Sequence, residues 1–217
     1  MKPYYETDNG TLYQGDCLEV MPGLKDGSVD LVITDPPYGI NHSSGYGASW
    51  ANTTIAGDAD TSIRDSVLSR FSSVASFGTW KTPPIENTRG VIVWDKGPAF
   101  GMGDLSFPFK PSWEMIFIKG PGWYGKRDEG VWRGPVVVSW ESKGRVHPHQ
   151  KPVSLIAYLL TKHDGKLIMD PFIGSGTTAI ACERLNRKWI GIEISEEYCE
   201  IAAKRIERET RQGSMFG

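Results

Sequence analysis

The stretch Lys166–Thr178 reads KLIMDPFIGSGTT and joins a short apolar run to an acid and a glycine-rich turn. A continuous apolar run of this kind is typical of a strand that is buried on both faces. Gly174 and Gly176 allow tight backbone conformations and let a ligand approach the main chain. Ligands of open α/β sheets bind beyond the carboxyl ends of the strands. The stretch therefore predicts a strand, a ligand-binding turn and a helix.

Outward from this stretch, apolar runs alternate with helical patterns. Strands are predicted over residues 11–14, 30–34, 90–94, 114–119, 135–140, 166–170 and 188–193. Helices are predicted from Pro152 to Gly165, over Thr177–Leu185, and after Ser195, which can cap a helix whose first residues are acidic. This alternation predicts an α/β fold with a mainly parallel sheet.

The composition fits one ordinary domain that spans residues 1–217. The chain has 24 Lys and Arg against 26 Asp and Glu, and it shows neither a secretion signal nor a membrane-spanning run. Its three cysteines have no regular spacing, which favours free thiols in a reducing compartment and hence a cytoplasmic protein. No clustered Cys and His pattern indicates a metal site, so no metal is expected.

Three segments differ from the periodic core. Residues 39–60 are rich in Gly, Ser, Asn and Thr, which predicts a long mobile loop with a functional role. The tail 212–217 is predicted to be disordered. Residues 119–146 interleave aromatics with cations, which is typical of nucleic-acid contact, although an ordinary surface with tryptophans in the core fits equally. The candidate DNA-binding residues are Lys126, Arg127, Arg133, Lys143 and Arg145.

The segment Asp35-Pro36-Pro37-Tyr38 follows the predicted strand 30–34. The two prolines fix the backbone and remove two N–H donors, so the carbonyl of Pro36 becomes a rigid acceptor. The Asp35 carboxylate is a second acceptor, and Tyr38 offers a flat face to a ring. Two acceptors can hold both hydrogens of an exocyclic NH₂, expose its conjugated lone pair and stabilise the charge that develops on nitrogen. A plain double-proline turn is the alternative.

The glycine-rich turn has more than one interpretation. The spacing of Gly174, Gly176 and Ala179 fits a dinucleotide fingerprint, and Glu193 ends the next predicted strand, where an acid can accept both hydroxyls of a ribose. A nucleoside methyl donor fits the same features, and a strand–turn–helix without any ligand remains open. A phosphate-binding loop is disfavoured because no Lys precedes Thr177.

Together the two motifs resemble the signature motifs of the S-adenosylmethionine-dependent amino-methyltransferases of DNA. The amine motif, Asp35–Tyr38, precedes the cofactor motif, Asp170–Thr178, as in the permuted beta arrangement of that family. The resemblance thus implies a Rossmann-like twisted sheet in circularly permuted order, with helices on both faces. His147–Pro152 and Gly15–Leu18 are similar to two further motifs of the family. The implied catalytic residues are Asp35, Pro36, Pro37 and Tyr38. The implied cofactor-binding residues are Asp16, Cys17, Lys151, Asp170, Pro171, Phe172, Gly174, Ser175, Gly176, Thr177, Thr178, Glu193 and Ile194.

The resemblance also implies a reaction, in which a methyl group passes from S-adenosylmethionine directly to the exocyclic amine of a DNA base that has left the stack. Asp35 favours DNA and adenine N6, and cytosine N4 or RNA is the nearest alternative. Residues 119–145 are too few for a separate target-recognition domain. We therefore expect a small bacterial or phage member, in a restriction-modification setting, that acts as a monomer or homodimer. A dinucleotide-dependent oxidoreductase and a non-catalytic DNA-binding module are the alternatives of other classes.

Overall fold

The computed structural model describes residues 2–25, 27–39, 59–97, 106, 108–109, 112–136 and 150–214. Within these ranges, nine strands form one sheet. The strands are β1 (Tyr5–Glu6), β2 (Gly10–Gln14), β3 (Leu31–Thr34), β4 (Val74–Gly78), β5 (Thr88–Asp95), β6 (Trp113–Lys119), β7 (Val131–Arg133), β8 (Leu167–Asp170) and β9 (Lys188–Glu193). The helices are α1 (Cys17–Val20), α2 (Ser62–Ser69), α3 (Val153–Thr161), α4 (Thr177–Arg184) and α5 (Glu196–Ser214), and a 3-10 turn covers Met21–Gly23.

The strand order across the sheet is β1-β2-β9-β8-β3-β4-β6-β5-β7. The neighbours β2, β9, β8, β3 and β4 are all parallel, whereas β6 is antiparallel to both β4 and β5. We call the edge at which β3, β4, β8 and β9 end the carboxyl edge, and the opposite edge the amino edge. The predicted α/β fold with a mainly parallel sheet is confirmed.

The parallel neighbours β8 and β3 are followed in the chain by strands that lie on opposite sides of this pair. From β8 the chain passes through α4 to β9 on one side, whereas from β3 it passes through α2 to β4 on the other side. A crevice forms outside the carboxyl ends at such a switch point, because the two connections leave in opposite directions. The two candidate motifs follow these two strands, so the topology places them side by side.

Helices cover both faces of the sheet, and the side chains of each strand alternate between the faces. In β3, Leu31 and Ile33 belong to a core cluster with α3, α4 and α5, whereas Val32 belongs to a second cluster with α1 and α2. β8 divides in the same way, with Ile168 in the first cluster and Met169 in the second. This double burial explains why the central strands are continuous apolar runs in the sequence.

Most of the predicted elements are present, with strand ends that differ by up to two residues. The predicted strand 135–140 is not confirmed, because Pro135 and Val136 lie outside any strand and residues 137–140 lie outside the described residues. The strand of this region is instead β7, which pairs with β5 in parallel. The last helix continues to Ser214 and includes three residues of the predicted tail, whereas residues 215–217 lie outside the described residues.

The sequence analysis does not predict β4 or α2. The five residues of β4 include a serine and a glycine, which are weak strand formers, yet all five are buried between β3 and β6. Their strand conformation is therefore set by pairing and packing rather than by local propensity. Helix α2 buries only Arg64, Val67 and Leu68, too few positions for a clear helical stripe in the sequence.

Two further findings concern the chain as a whole. No helix among the described residues combines the length and the apolar character needed to cross a bilayer. Cys17, Cys182 and Cys199 are buried and unbridged, as the irregular spacing predicts.

The close fit of β4 in the sheet predicts a difference between two strand glycines. A Cβ atom on Gly78 would lie 2.3 Å from the ring of Phe117, whereas one on Gly90 would meet nothing within 4 Å. We expect Gly78→Ala to lower the free energy of unfolding by about 1–3 kcal/mol because the core cannot yield. Gly90→Ala, the matched control, should change it by less than about 1 kcal/mol. Urea unfolding measures both, and equal effects would contradict this account of β4.

Candidate functional site

Two carboxylates lie at adjacent strand ends on the carboxyl edge. Asp170 is the last residue of β8, and Asp35 directly follows β3. The two strands pair in parallel through Leu31 with Ile168 and Val32 with Met169, so their ends are neighbours. The hydroxyl of Thr34 donates to Oδ1 of Asp170 at 2.7 Å and ties the two ends together.

Asp170 is the buried centre of the glycine-rich turn. Its Oδ2 accepts from the hydroxyl of Thr178 at 2.6 Å, and its Oδ1 also accepts from the backbone N–H of Phe172 at 3.1 Å. Burial raises the pKa of Asp170 to about 6, and the nearby charge of Asp35 adds to this effect against three stabilising donors. Because protein donors engage both oxygens, the side chain fixes the shape of the turn.

The turn itself is open where a ligand would approach. Gly174 has a φ of 51° and Gly176 a φ of 84°, in the region that favours glycine. A Cβ atom on Gly174 would meet nothing within 4 Å, whereas one on Gly176 would lie 3.1 Å from Ala202 of α5. Gly176 is thus required for packing, and Gly174 leaves free space above the backbone.

Glu193 closes the turn from the next strand. Its Oε2 accepts from the backbone N–H of Gly174 and its Oε1 from that of Ser195, both at 2.9 Å. Burial raises the pKa of Glu193, and these backbone donors oppose the shift. Ile194, the next residue, is 54% exposed at the same edge. The carboxylate thus lies beside the open part of the turn with an exposed apolar side chain next to it.

Other predicted cofactor residues have mainly structural contacts. Asp16 caps α1 by accepting from the N–H of Leu18 at 2.8 Å, and it lies near Glu193 because Gln14 pairs with that residue. Cys17 is buried in the second core cluster, where burial raises the pKa of its thiol to about 11. The hydroxyl of Ser175 accepts from Arg205 at 2.7 Å and so faces α5. Pro171, Thr177 and Thr178 are buried, and Phe172 packs partly against the second cluster.

The predicted amine motif forms a closed triangle with Lys151. The hydroxyl of Tyr38 donates to Oδ1 of Asp35 at 2.5 Å, and the ammonium of Lys151 lies 2.7 Å from Oδ2. The same ammonium lies 3.5 Å from the hydroxyl oxygen of Tyr38. Pro36 is buried, whereas the side chain of Asp35 keeps 27% of its surface exposed. Asp35 is therefore held in one orientation and still faces solvent.

Lys151, one of the implied cofactor-binding residues, has two protein carboxylates as partners. Its ammonium is buried and bound to Asp35 and to Oε2 of Glu114, which lies 3.2 Å away. Its charge is thus neutralised by two protein carboxylates on the side of the amine motif. Burial alone would lower the pKa of Lys151, but the two carboxylates raise it above its ordinary value.

Glu114 and Lys96 complete this charge cluster, and the sequence analysis misses both. Lys96 binds Oε1 of Glu114. Burial would raise the pKa of Glu114, but Lys151 and Lys96 hold it to about 2. In the sequence, Glu114 stands out only as a polar residue at the second position of the apolar strand β6. Polar residues are common at strand ends, so this position does not indicate a functional site. Thr34, which precedes Asp35, was missed for the same reason.

The structure brings one predicted DNA-binding residue to the carboxyl edge and keeps two away. Arg133, the last residue of β7, lies opposite Asp95 of β5 in the strand register and therefore on the carboxyl edge. Its side chain is exposed and forms an ion pair with Glu129. Lys126 and Arg127 follow β6, which ends at the amino edge. There Lys162 donates to the carbonyl of Lys126 at 2.9 Å. Lys143 and Arg145 lie outside the described residues.

The predicted loop 39–60 begins and ends beside Asp35. A Cβ atom on Gly39 would lie 2.5 Å from the carbonyl carbon of Asp60, so the backbones of these two residues are in contact. Gly39 has a φ of 70°, so a side chain there is disfavoured by conformation as well. Residues 40–58 lie outside the described residues.

The hydrogen bonds of Asp170 predict how its titration responds to substitution. Thr178→Val removes a donor that stabilises the carboxylate, so we expect the pKa of Asp170 to rise above about 6. Because this pKa exceeds that of an unfolded Asp, the contribution of Asp170 to stability is complete below about pH 4 and decreases as the pH rises through about 6. Carbon-13 NMR of the carboxyl groups measures the pKa, and Thr161→Val, whose hydroxyl bonds within α3, is the control. An unchanged pKa in Thr178→Val would contradict the arrangement.

Comparisons with known proteins agree with these motifs. Residues 109–204 match the sequence model of the DNA methylase family. The type II methyltransferase M2.MboI of Moraxella bovis is 29% identical over 97% of this chain and 93% of its own length. M2.DpnII of Streptococcus pneumoniae is 28% identical over 96% of this chain and 93% of its own length.

Solved structures share the fold. The PvuII DNA methyltransferase, which is cytosine-N4-specific, has a TM-score of 0.71 and 20% identity over 97% of this chain and 94% of its own. The complex of M1.HpyAVI with SAM has a TM-score of 0.58 and 22% identity over 90% of this chain and 99% of its own. The two motifs at adjacent strand ends, the family match over residues 109–204 and these relatives together support a SAM-dependent amino-methyltransferase of DNA.

Proposed function

We propose that this protein transfers a methyl group from S-adenosylmethionine to the exocyclic amine of a flipped DNA base, with adenine N6 as the target. The observation that carries this proposal is the shared location of the two motifs. The carboxylate of Asp35 and the open glycine-rich turn follow neighbouring parallel strands at the switch point of the sheet. A donor in the turn and an amine at Asp35 would therefore lie next to each other, as direct transfer requires.

The residues around the turn fit a nucleoside methyl donor. The free space above Gly174 admits a ligand to the main chain, and Glu193 can accept from ribose hydroxyls with its remaining lone pairs. The exposed side chain of Ile194 offers an apolar contact to a base. S-adenosylmethionine supplies the electrophilic methyl group of the reaction.

The amine motif provides what the acceptor nitrogen needs. The carboxylate of Asp35 and the carbonyl of Pro36 accept the two hydrogens of the amine, which frees its lone pair for attack. As positive charge develops on the nitrogen, the fixed negative charge of Asp35 stabilises it. Tyr38 orients the carboxylate with its hydroxyl and presents its ring to the flipped base.

Adenine is preferred over cytosine because Asp35 resembles the adenine members of the family. The fold does not decide between them, since the PvuII enzyme is cytosine-N4-specific and shares the fold at 20% identity. A dinucleotide-dependent oxidoreductase fits the turn but gives no role to Asp35 and Tyr38. A non-catalytic DNA-binding module gives no role to the turn. Analysis of the modified nucleoside after incubation with labelled S-adenosylmethionine separates adenine methylation from cytosine methylation, and both from the two functions without methyl transfer.

The proposal extends to the setting of the enzyme. DNA is the partner, and the protein acts as a monomer or homodimer in the bacterial cytoplasm, where phage and host DNA are both present. The three unbridged thiols agree with a reducing compartment. The relatives are type II methyltransferases, so a restriction-modification system is the proposed context.

We propose that DNA approaches the carboxyl edge. Arg133 lies on this edge, and Trp80, which follows β4 two residues after its end, is 63% exposed. A cation suits phosphate contact and an exposed aromatic ring suits base stacking. This surface replaces Lys126 and Arg127, which lie at the amino edge, as the proposed site of contact near the target base.

The first prediction of this proposal concerns Asp35. We expect Asp35→Ala to lower turnover by about 10²-fold or more, because one oriented acceptor of the transition state is lost. Its affinity for S-adenosylmethionine should stay within about twofold, since the turn belongs to another strand. Methyl incorporation measures turnover, and calorimetry measures affinity for S-adenosylmethionine and for NAD. Near-normal turnover, or preferential binding of NAD by the wild type, would contradict the proposal.

The second prediction compares charges on the two edges. Arg133→Ala should flatten the log–log salt dependence of DNA binding by about 0.9 unit, as expected for one lost phosphate contact. The double variant Lys126→Ala and Arg127→Ala removes more charge from the amino edge and should leave the slope unchanged. Salt titrations of binding to an unmethylated mixed-sequence duplex test both. If only the double variant flattens the slope, DNA contacts the amino edge instead.

A further inference from the structure

The groups proposed to hold the target amine already hold an amine of the protein. The ammonium of Lys151 lies 2.7 Å from Oδ2 of Asp35 and 3.5 Å from the hydroxyl oxygen of Tyr38. It also lies 5.9 Å from the ring centre of Tyr38 and 5.0 Å from that of Phe77. Because this ammonium neutralises part of the negative charge of Asp35, an exocyclic NH₂ that donates to the same carboxylate competes with Lys151 for that charge.

A second carboxylate, that of Glu114, lies within ion-pair distance of the same ammonium. Oε2 of Glu114 lies 3.2 Å from Nζ of Lys151, longer than the distance of about 2.7–2.9 Å at which such charged pairs are strongest. Lys96 holds the other oxygen of Glu114, so this carboxylate is anchored on β6 and cannot follow Lys151. Lys151 is thus placed between a tight partner and a looser, fixed one.

The charges of the cluster balance without the substrate. Asp35 and Glu114 carry two negative charges, and Lys151 and Lys96 carry two positive charges. Lys151 is buried, so its ammonium needs a carboxylate at all times. A movement of a few tenths of an ångström makes Glu114 the nearer partner, loosens the contact with Asp35 and keeps the ammonium paired.

From this arrangement we propose that Lys151 shifts from Asp35 towards Glu114 when the target amine binds, which leaves the Asp35 carboxylate available to that amine. Glu114 is thus a positioning residue for methyl transfer, because it determines how readily Asp35 becomes available. This inference rests on the proposed function of Asp35. In this proposal Glu114 acts on Asp35 only through Lys151.

The test is a double-mutant cycle on turnover. In Glu114→Gln, Lys151 has Asp35 as its sole full negative partner and blocks it, so kcat should fall about tenfold. The KM for DNA and the affinity for S-adenosylmethionine should stay within about twofold, because base entry follows DNA binding. In a Lys151→Gln background, the same change at Glu114 should alter kcat by less than about twofold. Glu86→Gln, an exposed glutamate before β5, is the matched control and should resemble the wild type.

A second variant, which is expected to raise kcat, tests the inference even if Glu114→Gln fails to fold. Lys96→Gln removes the competing cation from Glu114, which then attracts Lys151 more strongly, so kcat should rise about twofold or more. A fall in kcat for Lys96→Gln would overturn the inference. So would a wild-type kcat in Glu114→Gln, or a loss of the same size with and without Lys151. If the wild type itself methylates no DNA, the proposed function fails, and this inference fails with it.

Discussion

The pairing of β3 with β8 is the constraint on which the site depends. Parallel pairing aligns the carboxyl ends of two strands that belong to distant parts of the sequence, and the bond from Thr34 to Asp170 ties those ends together. A slip of one residue would turn the hydroxyl of Thr34 to the opposite face of the sheet. Leu31 and Ile33 would then exchange faces with Val32, and the close packing of both core clusters opposes that exchange.

Around this pair, buried charge is organised so that each group has a partner. Asp170 is stabilised by hydroxyl and backbone donors, whereas Asp35 has the hydroxyl of Tyr38 and the ammonium of Lys151. Under the proposed function this difference matters, because neutral donors fix Asp170 in place and a cation with a second carboxylate partner holds Asp35. In the proposed function Asp35 must accept a substrate amine. Its partner Lys151 suits this role because it has a second carboxylate, Glu114, within reach.

The direction of β6 decides which described part of the basic stretch shares an edge with Asp35. Because β6 is antiparallel to its neighbours, the residues that follow it begin at the amino edge, and β7 then returns to the carboxyl edge. One basic stretch of the sequence is thereby divided between two opposite edges. Of its described predicted contact residues, Arg133 shares the edge with Asp35, whereas Lys126 and Arg127 do not.

The sequence by itself determined the fold class and the two motifs, because both depend on local patterns. Apolar runs buried on both faces, a proline pair after a strand and glycines at positive φ are each visible within a few residues. It did not determine β4, whose strand conformation comes from its two neighbours, nor the partners of Lys151. Only the tertiary structure decided that Lys151 binds Asp35 and Glu114, and that Lys126 and Arg133 lie on opposite edges. Such contacts join residues far apart in the chain, and they follow from strand order and direction, which no local pattern encodes.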